Sequence, residues 1–289
     1  MGDFSENIIL EPDEEEPSKN IIDIIPEPEI TNRAPKLIFI VPYRDRLQQQ
    51  LFFAAHMKVI LEDIPETDYK IYYLHQVDNR NFNRGAMRNI GFLAMKEKYP
   101  NDYKNITFVF NDVDTMPFTK NFLNYETTFG NVKHFYGFTF ALGGIVSIKG
   151  ADFEKVGGYP NFWAWGYEDN LLQTRVLDAK LHIDRTQYYP IMDKNIFQMK
   201  DGLERIVKRS EYDRFLSDTI EGFSSIQGLQ YSINEETGFI NVVNFRTAIE
   251  DKGEDNVVHD LRNGNKPFEQ PLIQLKGSAK RRPTMRMMM

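Results

Sequence analysis

Apolar runs of strand length alternate with segments of helical period through the middle of this sequence. The runs that we predict to be strands are 36–41, 69–74 and 106–110. The segments that we predict to be helices are 47–62, 84–98 and one that starts near Glu168. Strands and helices in alternation are typical of a mainly parallel sheet flanked by helices, so we predict an α/β fold.

Two smaller features complete the predicted elements. In the first helix, one face is shared by the side chains of Leu51, Phe52, Ala55 and Val59. Towards the end of the chain, the runs 230–233 and 239–243 are joined by the turn-forming segment 234–238. This spacing predicts a small C-terminal hairpin that closes the domain.

The two ends of the chain lack this pattern. Residues 1–34 combine runs of Glu and Asp with prolines, which resist both helix and sheet, so we predict a disordered acidic tail. Residues 251–289 are predicted to be an extension, partly disordered, with a basic end that closes on three methionines. The folded domain is therefore predicted over residues 35–250.

Composition excludes several classes of protein. A net charge of -7 and a pI near 5.4 argue against nucleic-acid binding, which needs clustered Lys and Arg. The sequence has no Cys, which excludes disulfides and thiolate zinc sites and leads us to expect a reducing compartment. No apolar run reaches the roughly 18 to 20 residues that span a bilayer, and the N-terminus is acidic. We expect no membrane span and a cytoplasmic location, in the host-cell cytoplasm if the protein is viral.

Two carboxylates directly follow the third predicted strand. The segment from Phe108 reads FVFNDVD, which puts Asp112 and Asp114 at the carboxyl edge of the sheet, where open α/β folds bind ligands. Oxygen ligands suit Mg²⁺ and Mn²⁺, and few are needed when a diphosphate completes the coordination, so Asp114 is a candidate metal ligand. A turn before Pro117 is the structural alternative. A phosphatase of the haloacid-dehalogenase type is disfavoured by Met116 and by the mid-chain position of the motif.

Both tryptophans of the chain lie in one short segment, 157–169, which begins with glycines and ends with Glu168 and Asp169. Sugar sites combine flat aromatic surfaces with carboxylates, because a pyranose ring has apolar C–H faces and many hydroxyls. We interpret the segment as a mobile substrate loop that carries a general base. Two alternatives stay open: the acids interact favourably with the dipole of the helix that starts here, or the tryptophans belong to the core.

Five blocks of sequence stand in order over about 200 residues. They are 39–46 (FIVPYRDR), 82–92 (FNRGAMRNIGF), 108–117 (FVFNDVDTMP), 142–147 (LGGIVS) and 161–169 (NFWAWGYED). Together they resemble the β-1,4-galactosyltransferase family, glycosyltransferase family 7. The last block is the most specific, since it is similar to the long signature of that family around W-G-W-G-x-E-D.

The resemblance implies a GT-A fold, a UDP-sugar donor, Mn²⁺ and inverting transfer of a hexose to a glycan hydroxyl. It implies that Asp169 is the catalytic base, that Glu168 also contacts the acceptor, and that Trp165 stacks in the site and moves with the loop. The residues that it assigns to the donor are Pro42, Arg44, Arg46, Phe82, Arg84, Asp112, Val113, Gly143 and Gly144. The residues that it assigns to the acceptor are Phe162, Trp163, Trp165, Glu168 and Asp169.

The sequence departs from the family pattern at the metal site. The family completes this site with an M-x-x-H motif or a His-x-His variant, whereas this chain reads IMDKNI over 191–196, without histidine. Met192, Asp193 and Asn195 are therefore the candidates for the remaining ligands beside Asp114. A carboxylate in place of histidine is a harder ligand, which makes Mg²⁺ the alternative to Mn²⁺.

Other departures leave the donor sugar and the activity open. Ala141 and Leu142 stand where the family often has Tyr or Ile ahead of an aromatic, and a smaller side chain leaves room for an N-acetyl group. Galactose, N-acetylgalactosamine and another hexose are all retained as donor sugars. In the loop, Ala164 and Tyr167 replace glycines. The alternative function is a catalytically silent sugar-binding or scaffold protein of the same fold.

Overall fold

The computed structural model describes residues 33–200, 202–217, 220–263 and 267–268. The helices are α1 (Leu47–Ile60), α2 (Arg84–Lys98), α3 (Gly150–Lys155), α4 (Glu168–Asp178) and α5 (Arg209–Leu216), with 3-10 turns at Phe223–Ser225 and Leu261–Asn263. The strands are β1 (Leu37–Tyr43), β2 (Tyr69–Gln76), β3 (Thr107–Asn111), β4 (Thr115–Pro117), β5 (Asn131–Gly137), β6 (Ile145–Lys149), β7 (His182–Asp184), β8 (Tyr189–Pro190), β9 (Ile196–Gln198), β10 (Glu204–Lys208), β11 (Gln227–Asn234), β12 (Phe239–Arg246) and β13 (Asn256–Asp260). Residues 1–32 and 269–289, where we predict tails, lie outside the described residues.

A mixed sheet of nine strands runs through the described part of the chain. Its order is β11-β12-β2-β1-β3-β6-β5-β7, with β8 also paired to β5. The strands from β12 to β3 are parallel to one another, β6 is antiparallel to both of its neighbours, and β5 is parallel to β7. The predicted mainly parallel sheet flanked by helices is therefore confirmed.

Strand β1 is buried over its whole length because both faces of the sheet are covered. Leu37 and Phe39 pack in the core layer that contains α1, whereas Ile38 and Ile40 pack in the layer that contains α2. A strand covered on both sides needs apolar residues at every position, which explains the unbroken apolar run in the sequence. The strand extends beyond its predicted end at residue 41, through Pro42 to Tyr43.

Helix α2 begins at Arg84 because the preceding residue caps it. The side chain of Asn83 accepts a hydrogen bond of 2.8 Å from the backbone N–H of Ala86. Gly91 allows a close approach to the sheet, because a Cβ atom there would lie 2.7 Å from Cγ2 of Ile40. The middle of α2 thus packs closely on β1, and its first residue, Arg84, contacts Asp112 directly after β3.

Helix α1 does not bury the apolar face that the sequence pattern suggests. Its buried residues are Gln50, Phe53, Met57 and Ile60, whereas Leu51, Phe52, Ala55 and Val59 are exposed. The helix is apolar around most of its circumference, so the pattern alone does not define which side meets the sheet. Among the described residues, no helix has the length and apolar character that crossing a bilayer would need.

Strands β11 and β12 form the predicted C-terminal hairpin, and β12 joins the main sheet beside β2. The segment after residue 250 is also packed against the domain, because β13 pairs with β10. A buried ion pair reinforces this contact, since Nζ of Lys208 lies 2.6 Å from Oδ1 of Asp251. The early part of the predicted C-terminal extension is therefore ordered.

Candidate active site

A cleft of about 250 Å³ opens at the carboxyl ends of β1 and β2. Its lining is polar and includes Arg44, His75 and Asp78. The guanidinium carbon of Arg44 lies 5.2 Å from the centroid of the Phe82 ring, and its Nη1 donates to the carbonyl of Arg80 at 2.6 Å. Two of the predicted donor residues thus contact each other beside this cleft.

Three carboxylates from two distant segments meet at Arg84. Its Nε and Nη2 atoms donate to the carboxylate of Asp112 at distances from 2.7 to 3.0 Å. Its Nη1 donates to Oε1 of Glu168 at 2.5 Å and to Oδ2 of Asp169 at 2.9 Å. The strand-end motif and the aromatic loop therefore belong to a single arginine–acid cluster.

Arg88 is a second cation of this cluster, and sequence reasoning misses it. Its Nη1 donates to Oδ1 of Asp169 at 2.6 Å, and its Nη2 donates to Oδ1 of Asp112 at 2.9 Å. The side chain is 1% exposed and lies over the ring of Tyr159, 4.7 Å from the centroid. Its position four residues after Arg84 is the signal that could have found it, because such residues share a helix face.

The two acids at the start of α4 differ in charge behaviour. Burial alone would raise the pKa of Asp169, but the neighbouring Arg84 and Arg88 outweigh burial and lower this pKa below its ordinary value. Burial raises the pKa of Glu168, and the adjacent carboxylate of Asp169 adds to the rise. Asp169 is therefore the carboxylate that stays ionised and able to accept a proton, whereas Glu168 becomes protonated more readily.

The loop before α4 has a left-handed backbone at two residues that are not glycine. The φ angle is 73° at Ala164 and 72° at Tyr167, in a region that strongly favours glycine. The ring of Tyr167 stacks on Phe215 with centroids 5.0 Å apart, and its hydroxyl donates to the carbonyl of Pro267 at 2.9 Å. Contacts with α5 and the C-terminal extension thus hold this residue in a strained conformation.

Three aromatic side chains earlier in this loop differ in exposure. Phe162 and Trp163 are buried, and Trp163 stacks on Phe245 with centroids 5.5 Å apart and donates from Nε1 to the carbonyl of Ile249 at 2.8 Å. Trp165 is half-buried. Of the three, Trp165 has the exposure that contact with a sugar requires, and acceptor contact by Phe162 and Trp163 stays a prediction.

The carboxylates of Asp114 and Asp193 both raise the pKa of one tyrosine, Tyr136. Burial raises the pKa of Tyr136, and the negative charges of these two carboxylates raise it further. Oδ1 of Asp114 accepts a hydrogen bond of 2.9 Å from the hydroxyl of Thr115. Oδ1 of Asp193 accepts from the backbone N–H of Asn195 at 2.8 Å. The two carboxylates are thus held near the same phenol.

In the part of the chain that the structure describes, no three His, Cys, Asp or Glu side chains form a group that could hold a metal ion. Asp114 and Asp193 nonetheless supply the oxygen ligands that Mn²⁺ and Mg²⁺ prefer, and nucleotide phosphates commonly complete such a shell. These residues therefore fit an ion that is shared with a nucleotide. Met192 is 84% exposed, and Nδ2 of Asn195 donates to Asp193 at 2.9 Å.

The paired glycines lie between Asp112 and Asp169. The backbone N–H of Asp112 donates to the carbonyl of Gly144 at 3.0 Å, and the N–H of Leu142 donates to the carbonyl of Asp169 at 2.9 Å. Gly143 itself lies against the Asp169 carboxylate. Among the other predicted donor residues, the structure buries Pro42 and Val113 and leaves Arg46 half-buried. The donor assignments stay predictions.

Two family models match the sequence in succession. The model for the N-terminal region of glycosyl transferase group 7 matches residues 18–126, and the model for the N-terminal domain of galactosyltransferase matches residues 124–200. Beta-1,4-galactosyltransferase 4 of Mus musculus is 31% identical over 239 residues, which cover 76% of this chain and 67% of the mouse protein. This chain belongs to the β-1,4-galactosyltransferase family.

Further comparisons extend the similarity to a solved structure. Xylosylprotein 4-beta-galactosyltransferase of Caenorhabditis elegans is 30% identical over 179 residues, so 59% of this chain matches 60% of that protein. A mutant of Drosophila β1,4-galactosyltransferase 7, solved with manganese, UDP-Gal and xylobiose, has a TM-score of 0.57 and 20% identity over 75% of this chain and 95% of that chain. This likeness confirms the GT-A fold that the resemblance implied.

One aromatic pair in this galactosyltransferase-family chain also escapes sequence reasoning. The rings of Phe138 and Phe140 stack with centroids 5.0 Å apart and planes 10° from parallel. Both side chains are half-buried, and Nδ2 of Asn170 donates to the carbonyl of Phe140 at 3.2 Å. The pair therefore lies next to the first turn of α4. An aromatic residue at every second position ahead of the paired glycines was the available signal.

Proposed function

We propose that this protein is an inverting, metal-dependent glycosyltransferase that moves galactose from UDP-galactose to a hydroxyl of a glycan acceptor. The observation that carries the proposal is the contact of Asp169 with Arg84, which also holds Asp112, two residues before Asp114. A base for the acceptor and charged groups for the donor thus share one cluster. Family membership favours the same activity, since the relatives compared above are named galactosyltransferases.

The donor is proposed to bind across the cleft and the cluster. Arg44 and Phe82 offer a cation and an aromatic ring for the nucleoside, and Arg84 offers a guanidinium for the diphosphate. Galactose is the proposed sugar because the Drosophila relative binds UDP-Gal. Ala141 is smaller than the Tyr or Ile that the family often has at this position, so UDP-N-acetylgalactosamine is the competing donor to be tested.

The proposed reaction is one displacement at the anomeric carbon. The carboxylate of Asp169 takes the proton of the acceptor hydroxyl while that oxygen forms a bond to the anomeric carbon. On the opposite side, the bond from this carbon to the diphosphate oxygen breaks, and UDP leaves with the bonding electrons. The carboxylate is ionised at neutral pH, as a base must be, although the two arginines that lower its pKa also weaken it as a proton acceptor until one of them is engaged elsewhere.

Asp114 and Asp193 are the proposed protein ligands of the divalent ion, with Mn²⁺ as the first choice and Mg²⁺ as the alternative. The ion would offset the negative charge of the departing diphosphate. The oxygen ligands of this pair and the manganese in the Drosophila complex support the choice of metal. Arg84, which donates to Asp112 two residues before Asp114, adds a permanent positive charge near the proposed ion.

The first experiment measures UDP release from UDP-galactose and UDP-N-acetylgalactosamine with Mn²⁺ or Mg²⁺, with and without a panel of β-glycosides that includes xylosides. Release that depends on the acceptor supports a transferase, and NMR of the product then reports the anomeric configuration. UDP binding without release under every condition would favour the silent sugar-binding protein instead. Release that does not need an acceptor would indicate hydrolysis.

The second experiment tests the base. Asp169→Asn is expected to lower kcat by about 10²-fold or more while UDP affinity is kept, because an amide of the same shape cannot accept the proton. Asp178→Asn is the matched control, since Asp178 is an exposed residue at the other end of the same helix. Equal turnover of the two variants would rule out Asp169 as the base.

A further inference from the structure

The two arginines of the cluster differ in their access to substrate. The side chain of Arg84 is 18% exposed, whereas that of Arg88 is 1% exposed. Arg88 is also enclosed by the ring of Tyr159 and by the carboxylates of Asp112 and Asp169. Part of the Arg84 side chain is therefore open to a bound diphosphate, whereas Arg88 is enclosed in the interior.

Each arginine holds a different oxygen of Asp169. Arg88 donates to Oδ1 at 2.6 Å, and Arg84 donates to Oδ2 at 2.9 Å. A carboxylate whose two oxygens are both occupied by guanidinium groups is a poor proton acceptor. Engagement of Arg84 by the donor diphosphate would free Oδ2, while Oδ1 would stay bound to Arg88.

We propose that Arg88 is a positioning residue for Asp169: it anchors Oδ1 and keeps Oδ2 directed at the acceptor hydroxyl after Arg84 has engaged the donor. Through its second bond, to Asp112, it also fixes the distance between the base and the donor side of the site. This inference rests on the proposed glycosyl transfer, in which Asp169 is the base. It assigns a role to a residue that contacts neither substrate.

The charge environment of Asp169 allows the proposal to be tested by pH. The groups that face it are Arg84 and Arg88 from α2, Asp112 after β3, His134 from β5, Tyr159 in the segment before α4, and the neighbouring Glu168. The two arginines lower the pKa of Asp169 against the effect of burial. Loss of Arg88 withdraws one of these cations, so the pKa of Asp169 is expected to rise.

The experiment compares the pH profiles of kcat for Arg88→Met, Arg88→Lys and the wild type. In Arg88→Met, the acid limb of the profile is expected to move up by about one to three pH units, the usual effect of one adjacent charge. The plateau is expected to fall by about tenfold to a hundredfold, because the base loses its orientation. Arg88→Lys keeps the charge without the paired donors, so its acid limb is expected to stay near that of the wild type while its plateau falls.

Arg175→Met provides the matched control. Arg175 is also a largely buried arginine, and its Nη1 donates to the carbonyl of Gly158 at 2.6 Å, away from the acid cluster. We expect its removal to lower thermal stability but to leave the acid limb in place. If Arg175→Met moved the acid limb as far as Arg88→Met does, general loosening of the fold would explain the effect and the proposal would be overturned.

A measurement without substrate separates this inference from the proposed function. The ¹³C carboxyl resonance of Asp169, assigned by comparison with Asp169→Asn, reports its protonation directly. Wild-type protein without acceptor-dependent UDP release, but with a higher Asp169 titration in Arg88→Met, would refute the proposed function alone. An active enzyme in which Arg88→Met changes neither the titration of Asp169 nor the kcat profile would refute the role of Arg88.

Discussion

A methyl group on the α-carbon of Gly143 would lie 2.4 Å from Oδ2 of Asp169. The carboxylate of the candidate base therefore rests directly on this glycine. The adjacent N–H of Leu142 donates to the backbone carbonyl of Asp169 at 2.9 Å, so the same segment holds both the main chain and the side chain of the acid. No side chain larger than hydrogen fits at position 143 while Asp169 keeps this orientation.

Gly143→Ala is therefore expected to displace the Asp169 carboxylate. A misplacement of about 1 Å costs up to a hundredfold in rate, so we expect kcat to fall by at least about tenfold. UDP affinity is expected to change less than kcat, because Arg44 and Phe82 are untouched. Steady-state kinetics with a saturating donor and calorimetric binding of UDP make the comparison.

Gly130→Ala serves as the control for this variant. A Cβ atom at Gly130 meets nothing within 4 Å, although its φ of 81° makes any substitution there strained. We expect Gly130→Ala to lower the melting temperature but to retain kcat. An unchanged kcat in Gly143→Ala would show that the base does not depend on this contact.

The sequence predicts the main elements of the fold because its helices and strands have distinct periods. The predicted limits of α2 match the structure at both ends, since Asn83 caps the helix and Tyr99 follows its last turn. The acids of the cluster are also predictable, because Asp112 and Asp169 stand in recognisable blocks. Residues whose role follows from the local sequence pattern can thus be predicted without a structure.

Residues whose role depends on packing cannot be predicted in this way. In the sequence, Arg88 resembles an ordinary surface residue of a helix, but in the structure its side chain is buried against the ring of Tyr159. The apolar face of α1 that includes Leu51 is exposed because the sheet meets the other side of the helix. For α1, the rotation of the helix about its own axis decides the outcome, and the sequence pattern does not encode it. Residues 85–92 of α2, by contrast, are buried on every side of the helix, which places even the charged Arg88 in the interior.

The strain at Ala164 predicts a stabilising substitution. Ala164 has a φ of 73°, a conformation that costs a residue with a Cβ atom about 1 kcal/mol or more. Ala164→Gly is therefore expected to raise the free energy of unfolding by up to about 1 kcal/mol, after the larger entropy of glycine in the unfolded chain is deducted. Urea denaturation measures this change in the free energy of unfolding.

Ala55→Gly is the matched control for this substitution. Ala55 is exposed within α1, where glycine is expected to destabilise by about 1 kcal/mol. Opposite signs for the two variants would support strain at Ala164, whereas destabilisation by both would contradict it.

The candidate metal ligands predict a graded response to manganese. Asp114→Asn and Asp193→Asn are each expected to weaken the Mn²⁺-dependent part of UDP binding by about tenfold or more, because each removes a charged oxygen ligand. Met192→Leu is expected to have no such effect, since Met192 is 84% exposed. Calorimetric titration of UDP at several Mn²⁺ concentrations distinguishes them. A response of Met192→Leu as large as that of Asp193→Asn would reverse the assignment.

His134 predicts how stability depends on pH. Burial, with the neighbouring Arg185, lowers the pKa of His134 to about 4 from an ordinary value of 6.5. The ring is held neutral by its partners, since Nδ1 accepts from Nε of Arg185 at 3.1 Å and Nε2 donates to the carbonyl of Tyr136 at 3.1 Å. Below pH 6.5 the unfolded chain therefore binds a proton at this residue that the folded chain does not bind until about pH 4.

The contribution of His134 to the free energy of unfolding is complete above pH 6.5 and is lost as the pH falls towards 4. Between pH 7 and pH 5, this loss amounts to about 2 kcal/mol. His134→Gln preserves one donor and one acceptor but does not titrate, so we expect a flatter dependence of the unfolding free energy on pH over this range. Chemical denaturation at pH 5, 6 and 7 tests this variant, and parallel slopes for His134→Gln and the wild type would show that His134 is not the group responsible.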